Sequence, residues 1–336
     1  MTQKTRRVTM KKLAAWALAP AWMAALAVPA PAKAQAPEWP SKSIRLIVPF
    51  PPGGSVDVLA RALAVRMAKR LGKSVTIENI SGGATIPAVQ SLLRSEADGH
   101  TMLITSDVTL SVNPVLLPSA PYSPARDMNP ITIFYKTANW LIVKSDRPEK
   151  SFSDLVKTIA ANPGQVTIGV NAVWGSAQLG LETWKKTSGL DFTVVPYRGG
   201  PAAITDLIGG QVTATVDVPG SSMPHVRSGK VRPLGVLQNK RSPSMKDVPA
   251  VLENGGQGPQ VQTFVAIVAK SGTPADRIQK LNTVIRESAQ EPEYQALLAS
   301  LVSDPVLSSP AEAAAYIESE TVRYGKLVKE SGVKLE

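Results

Sequence analysis

The sequence predicts an α/β protein of two domains, and three observations carry the prediction. Short apolar runs alternate with segments of helical period, the pattern of parallel sheets covered by helices. Strand–loop–helix series begin twice, near residue 44 and again near residue 166. About 302 of the 336 residues remain once an N-terminal export segment is set aside, more than one core usually serves.

Residues 44–48 are a strand, and Pro49-Phe50-Pro51-Pro52-Gly53-Gly54 is a loop that continues neither strand nor helix. Leu59, Leu63 and Met67, spaced by four, give the buried face of a helix that stops near Gly72. Strands follow at 75–77 and 101–105, then a proline-rich meander over 113–130, then extended segments at 131–134 and 141–143. Ser151 with Asp154 three residues on opens a helix as a capping box, and Asn162-Pro163-Gly164 ends it. The second series runs as a strand at 166–170, a loop to Ser176, a helix through Trp184, a strand at 192–196 and a helix from Pro201 to Gly209. Further strands are expected at 212–218, 231–237 and 263–269. Thr273 caps the next helix with Pro274 at its first position, and Ile278, Leu281 and Ile285 form its apolar face. The last helix starts with the box Ser309-Pro310-Ala311-Glu312 and carries Tyr316, Ile317, Tyr324 and Leu327 in one broad stripe. This pattern divides the halves near residue 140 and does not say which half the C-terminal helices join.

Residues 1–34 read as a signal peptide. Lys4, Arg6, Arg7, Lys11 and Lys12 are a basic start, residues 13–28 are apolar and uncharged, and Ala32-Lys33-Ala34 supplies small residues for cleavage after Ala34. The apolar run is shorter than the roughly 20 residues that span a bilayer, and Pro20 interrupts it. The Arg6-Arg7 pair leaves general secretion and the twin-arginine route both open. Removal of this segment takes six Lys/Arg and no Asp/Glu, lowering the formal charge from +11 to +5. No Lys/Arg block of five or more survives and aromatics are 5%, a poor footprint for a nucleic-acid binder. Without cysteine there is no disulfide, thiolate metal site or lipoprotein anchor.

In open parallel sheets ligands bind beyond the carboxyl ends of strands, so the loops that follow strands are the candidates. In the first, Pro52, Gly53, Gly54 and Ser55 lead into a helix whose free N–H groups and partial positive charge suit an anion. Ser55 reads as its N-cap and Asp57 lies in its first turn; an ordinary capped helix reads the same way. The second, Gly82, Gly83, Ala84 and Thr85, offers backbone N–H groups and a hydroxyl, or a plain glycine turn. The third holds Asn171, Trp174, Gly175 and Ser176, with Ser176 as N-cap and Trp174 either stacking on a planar ligand or serving the core. Arg198, between Tyr197 and Gly199, is a carboxylate clamp or a solvated cation, and Asp217 at a strand end accepts from a ligand or caps a turn. No metal-ligand spacing, phosphate loop, dinucleotide fingerprint or nucleophile elbow is present, and His100 and His225 lie in different halves. No cofactor is expected and no enzyme is indicated.

Trp39-Pro40-Ser41-Lys42 followed by residues 44–50 and Pro51-Pro52-Gly53-Gly54-Ser55-Val56-Asp57 resembles the opening of the Bug (TctC-like) family, extracytoplasmic solute receptors of tripartite tricarboxylate transporters. Ala97-Asp98-Gly99-His100-Thr101, Val195-Pro196-Tyr197-Arg198-Gly199, Gly209-Gly210-Gln211-Val212 and Gly272-Thr273-Pro274 match in order and spacing. The resemblance implies a type II periplasmic-binding-protein fold, with domain 1 over 35–137 plus 260–336, domain 2 over 138–259, and a two-segment hinge around a cleft. It also implies a monomer that closes on a small carboxylate and hands it to a membrane permease. The ligand classes implied are di- or tricarboxylates, acidic amino acids and aromatic acids. Carried onto this chain, the ligand groups are Pro52, Gly53, Gly54, Ser55, Asp57, Gly82, Gly83, Ala84 and Thr85 from one domain. Asn171, Gly175, Ser176, Tyr197, Arg198, Gly199 and Asp217 come from the other. The second and third loops depart from the family pattern: the Ile80-Ser81-Gly82-Gly83-Ala84 stretch is short, and Gln178 stands where a histidine is usual. A sensor feeding a membrane signalling protein and an enzyme on the same fold are the rival readings.

Overall fold

The computed structural model describes residues 38–117, 119–173, 175–242, 244–253 and 257–332. The signal peptide at 1–34 and Trp174 lie outside the described residues. The chain runs β1 (Ile44–Val48), α1 (Ser55–Leu71), β2 (Val75–Asn79), α2 (Ile86–Leu93), β3 (Thr101–Ser106), a π-helical turn (Val108–Val112), α3 (Asn113–Leu116), α4 (Pro124–Asp127) and β4 (Met128–Ala138). It crosses over into β5 (Trp140–Lys144), α5 (Phe152–Ala161), β6 (Thr167–Val170), α6 (Ser176–Ser188), β7 (Thr193–Pro196), α7 (Gly200–Ile208), β8 (Ala214–Asp217), α8 (Pro219–Arg227) and β9 (Val231–Val236). It returns through β10 (Gln262–Lys270), α9 (Ala275–Ala289), α10 (Pro292–Ser300), β11 (Ser303–Pro305) and α11 (Pro310–Ser331).

Two sheets result, ordered β11-β4-β10-β3-β1-β2 and β7-β6-β8-β5-β9. Apart from edge strand β11 they share one order: β6, β7, β8 and β9 take the places of β1, β2, β3 and β4, and β5 takes the place of β10. Pairs of β1 with β2 and β3, and of β6 with β7 and β8, are parallel as expected. The sheets are nevertheless mixed, because β10 runs antiparallel to β3 and β4, and β5 to β8 and β9. A strand buried on both faces reads as an apolar run in either direction, so the sequence pattern does not encode this. The two crossovers lie side by side, with Thr263 opposite Thr137 and Gln262 opposite Ala138.

Side-chain alternation sends β1 residues to two cores. Ile44, Leu46 and Val48 pack with Leu59, Leu63 and Met67 of α1 and Ile278, Leu281 and Ile285 of α9. Ile47 packs with Ala88, Val89 and Leu92 of α2 and Ala313 and Ile317 of α11. The second sheet is covered by Phe152, Leu155 and Ile159 of α5 and Leu181 and Trp184 of α6 on one face, and by Leu207 of α7 on the other. Helices α9 and α11 therefore serve the first sheet. Beyond it, α11 reaches Leu179 of α6 through Tyr324, Leu327 and Val328.

Both expected capping boxes form, at Ser151/Asp154 and Ser309/Glu312. Thr273 is not the cap of α9; Pro274 is, and the Thr273 hydroxyl donates to the Lys270 carbonyl at 2.7 Å to close the preceding turn. Helix α8 was not legible, since Pro219, Gly220 and Pro224 in nine residues look like loop composition. Leu281 is fully buried, so Leu281→Ala is expected to cost about 2–5 kcal/mol, against about 1 kcal/mol for the cap substitution Ser309→Ala. Urea unfolding midpoints should fall in that order, and equal midpoints would contradict the packing of α9 described above.

Candidate functional site

A cavity of about 150 Å³ opens beyond the carboxyl ends of β1, β3, β6 and β8, lined there by Phe50, Ser106, Asn171 and Val218. Among the described residues, four helix starts reach it: Ser55 of α1, Ser176 of α6, Gly200 of α7 and Gly220 of α8. The first intrahelical bond of α1 runs from Val58 N–H to the Gly54 carbonyl, and that of α6 from Leu179 N–H to the Gly175 carbonyl. The amides of Ser55, Val56 and Asp57, and those of Ser176 and Ala177, thus lack an acceptor within their helices.

The expectation that Ser55 and Ser176 are N-caps is corrected here. Gly54 and Gly175 hold the cap positions, both with extended backbone, and the two serines are the first helical residues. The caps of α7 and α8 are Gly199 and Val218. None of these four helices has a side chain bonded over its first amides. Helices α5 and α11, whose first residues do not line the cavity, are covered by their serine boxes. The uncapped starts present N–H donors and the positive ends of helix dipoles to the cavity.

The two crossovers lie against the same space through Tyr135 and Thr137 of β4 and Thr263 and Val265 of β10. The hydroxyls of Ser176 and Thr263 are 3.2 Å apart, joining α6 to the return crossover. No Lys, Arg or His is among the described lining residues. The charged side chain that lines the cavity is acidic: Asp107, 1% exposed, follows β3. Its Oδ2 accepts from the Tyr324 hydroxyl of α11 at 2.8 Å. Burial pushes this carboxyl up to about 6, although the Tyr324 and Ser176 hydroxyls act to lower it.

Of the residues singled out from the sequence, Pro52, Gly54, Ser55, Asn171, Gly175, Ser176 and Gly199 line the cavity. Gly53 and Asp57 stand behind it. Asp57 accepts from Gly53 N–H at 2.9 Å, Arg61 Nε at 3.0 Å and Asn79 Nδ2 at 2.8 Å. Burial pushes its carboxyl up, but those three donors outweigh it and hold the group below the usual range. Asp57 fastens the loop, and Gly53 supplies the left-handed φ of 82° that the turn requires. Asp217 is fully buried and not among the lining residues; it accepts from Asn171 Nδ2 at 3.2 Å and Ser221 Oγ at 2.7 Å, fixing two residues that do line the cavity.

Residues 82–85 are not among the lining residues. Ala84 and Thr85 adopt φ of 50° and 69°, held by Asn113 Nδ2 on the Ala84 carbonyl at 2.7 Å and by a Thr85–Thr109 hydroxyl contact at 2.8 Å. Tyr197 donates its hydroxyl to Asp206 at 2.7 Å, and Arg198 is exposed; neither lines the cavity. Trp174 lies outside the described residues.

The sequence reading missed Ser106 and Asp107, which the strand-end rule points to directly after residue 105. It also missed Ser221, which sits on the unrecognised α8, and Tyr135, Thr137 and Thr263. These last three belong to strands whose pairing brings them under the cavity, and no local motif marks them. Among the described residues no group of three or more His, Cys, Asp or Glu could hold a metal ion, and no helix is long and apolar enough to cross a membrane.

The chain is similar to known proteins along most of its length. Residues 59–333 match the model of the tripartite tricarboxylate transporter family receptor, TctC. Protein BugT of Bordetella pertussis is 32% identical over 305 residues, covering 90% of this chain and 94% of that one. A solved periplasmic transporter superposes with a TM-score of 0.82 at 33% identity, over 89% of this chain and all of the other. An R. palustris protein solved with adipate gives 0.83 at 30% identity, over 88% and 99% of the two chains. MatC from Rhodopseudomonas palustris with bound malate gives 0.78 at 27% identity, over 86% and 99%. With its duplicated sheet order, its cavity between them and these matches, the chain belongs to the tripartite tricarboxylate transporter receptor (TctC) family.

Proposed function

We propose that this protein is a solute receptor that closes on a small carboxylate and delivers it to the membrane permease of a tripartite tricarboxylate-type transporter. The observation that carries the reading is the set of uncapped helix starts, from α1 on one side and α6, α7 and α8 on the other, around a cavity with no basic side chain among its described lining residues. A carboxylate satisfies such amides with charge-assisted hydrogen bonds. By touching both sides it stabilises the closed arrangement over the open one. Relatives solved with adipate and malate are of the same chemical class. The lining offers what capture needs, donors and a snug wall, and we read the protein as a receptor and not an enzyme. The basic, apolar and small-residue sequence of residues 1–34 supports export to the periplasm with cleavage after Ala34. The receptor acts as a monomer, with residues 138–259 moving against the remainder on the paired crossovers.

Closure depends on close backbone approach at Gly220. A Cβ added there would lie 2.8 Å from Ser55 Cβ and 3.3 Å from the Leu301 carbonyl. Thermal melting of the mature protein, freed of co-purified ligand, against a carboxylate panel tests the reading. A ligand at 100 times its Kd stabilises by about 2.7 kcal/mol, an upward shift of a few degrees; a panel that moves nothing contradicts capture of a carboxylate. Gly220→Ala should weaken binding of whichever acid shifts the wild type by about tenfold while leaving the ligand-free melting temperature near its original value. Unchanged affinity would mean that α1 and α8 do not close on the ligand.

A further inference from the structure

We infer that Asp107 selects the ligand: the receptor takes an amino carboxylate whose ammonium pairs with Asp107 while its carboxylate occupies the helix starts, and it rejects dicarboxylates of the same length. This rests on the carboxylate-receptor reading and narrows it. Asp107 is 1% exposed and lines the cavity. A carboxylate has about four acceptor positions; the Tyr324 hydroxyl fills one of them here, and the Ser176 hydroxyl also acts on this carboxyl. No Lys, Arg or His among the described residues lines the cavity to balance it. On α11, Arg323 and Glu320 are the nearby charges; they bond each other at 2.6 Å, and the Arg323 guanidinium lies 4.3 Å from the Tyr324 ring centroid. Their influences on Asp107 oppose one another, so the pair supplies little net counter-charge.

A buried carboxylate without a cation is costly, and a second carboxylate brought beside it is repelled. An ammonium there removes the repulsion and satisfies the open acceptor positions. Phe50, Val265 and Leu301 give the intervening methylenes an apolar wall. The zwitterion then meets donors at one end and an acceptor at the other, and enters with no net charge.

The test is isothermal titration at about pH 8, where carboxylates are ionised. L-Alanine, β-alanine and γ-aminobutyrate are compared with succinate and glutarate on the wild type and on Asp107→Asn. An amino carboxylate should bind the wild type about tenfold or more tightly than the dicarboxylate of equal length. Asp107→Asn should abolish that preference, weakening the amino acid and leaving the dicarboxylates equal or tighter. Asp107→Ser gives the same comparison where the asparagine variant does not fold. Dicarboxylates binding the wild type as tightly as amino carboxylates would overturn the assignment while leaving carboxylate capture intact. A preference that survives both substitutions would likewise remove Asp107 as its source. Binding of neither class would bring down the assignment together with the reading beneath it.

Discussion

Unsatisfied backbone amides at the starts of opposed helices are the constraint on which the site depends. Buried N–H groups need partners; Ser151 and Ser309 supply them at the starts of α5 and α11, although α2, α9 and α10 also start without a side-chain cap. At the cavity the cap positions fall to Gly54, Gly175, Gly199 and Val218, none of which covers an amide with a side chain. Gly199 takes a φ of 123° that a side chain would strain, and the lack of a side chain at Gly54, Gly175 and Gly199 leaves the backbone open to close approach by a ligand. The result is a donor-rich space with no basic side chain among its described lining residues.

The surrounding polar groups then hold that geometry. Asp57, which the family resemblance places among the ligand groups, uses its oxygens on Gly53, Arg61 and Asn79. Asp217 does the same for Asn171 and Ser221. Both carboxylates therefore order the loops from behind, one on each side of the cavity. The left-handed Ala84 and Thr85, tied down by Asn113 and Thr109, extend this to the second loop without placing it in the lining.

The crossovers connect the two sides of the cavity directly. β4 and β10 run antiparallel beneath the cavity, with Thr137 and Thr263 paired in register and Ser176 of α6 within reach of Thr263. Helix α11 adds a second link, since it covers the first sheet through Ala313 and Ile317, packs Tyr324 against Leu179 of α6, and bonds Asp107 through the Tyr324 hydroxyl. Asp107 is thus held by the helix that joins the first sheet to α6.

The sequence by itself determined most secondary-structure elements, because they rest on local chemistry: period-two and period-3.6 apolar patterns, the boxes at Ser151 and Ser309, and the glycine that ends α1. It also located the two loops, around Pro52–Ser55 and Asn171–Ser176, that meet at the cavity. It could not supply strand direction, because strands buried on both faces carry no directional signal. Nor could it tell which acid looks inward. Asp57, Asp107 and Asp217 are alike as short acids near strand ends, and only the tertiary packing decided that Asp57 and Asp217 bond the loops while Asp107 lines the space between the sheets. The partners that make the difference, such as Tyr324 for Asp107, stand 217 residues away, and no local pattern can report a contact made across that separation.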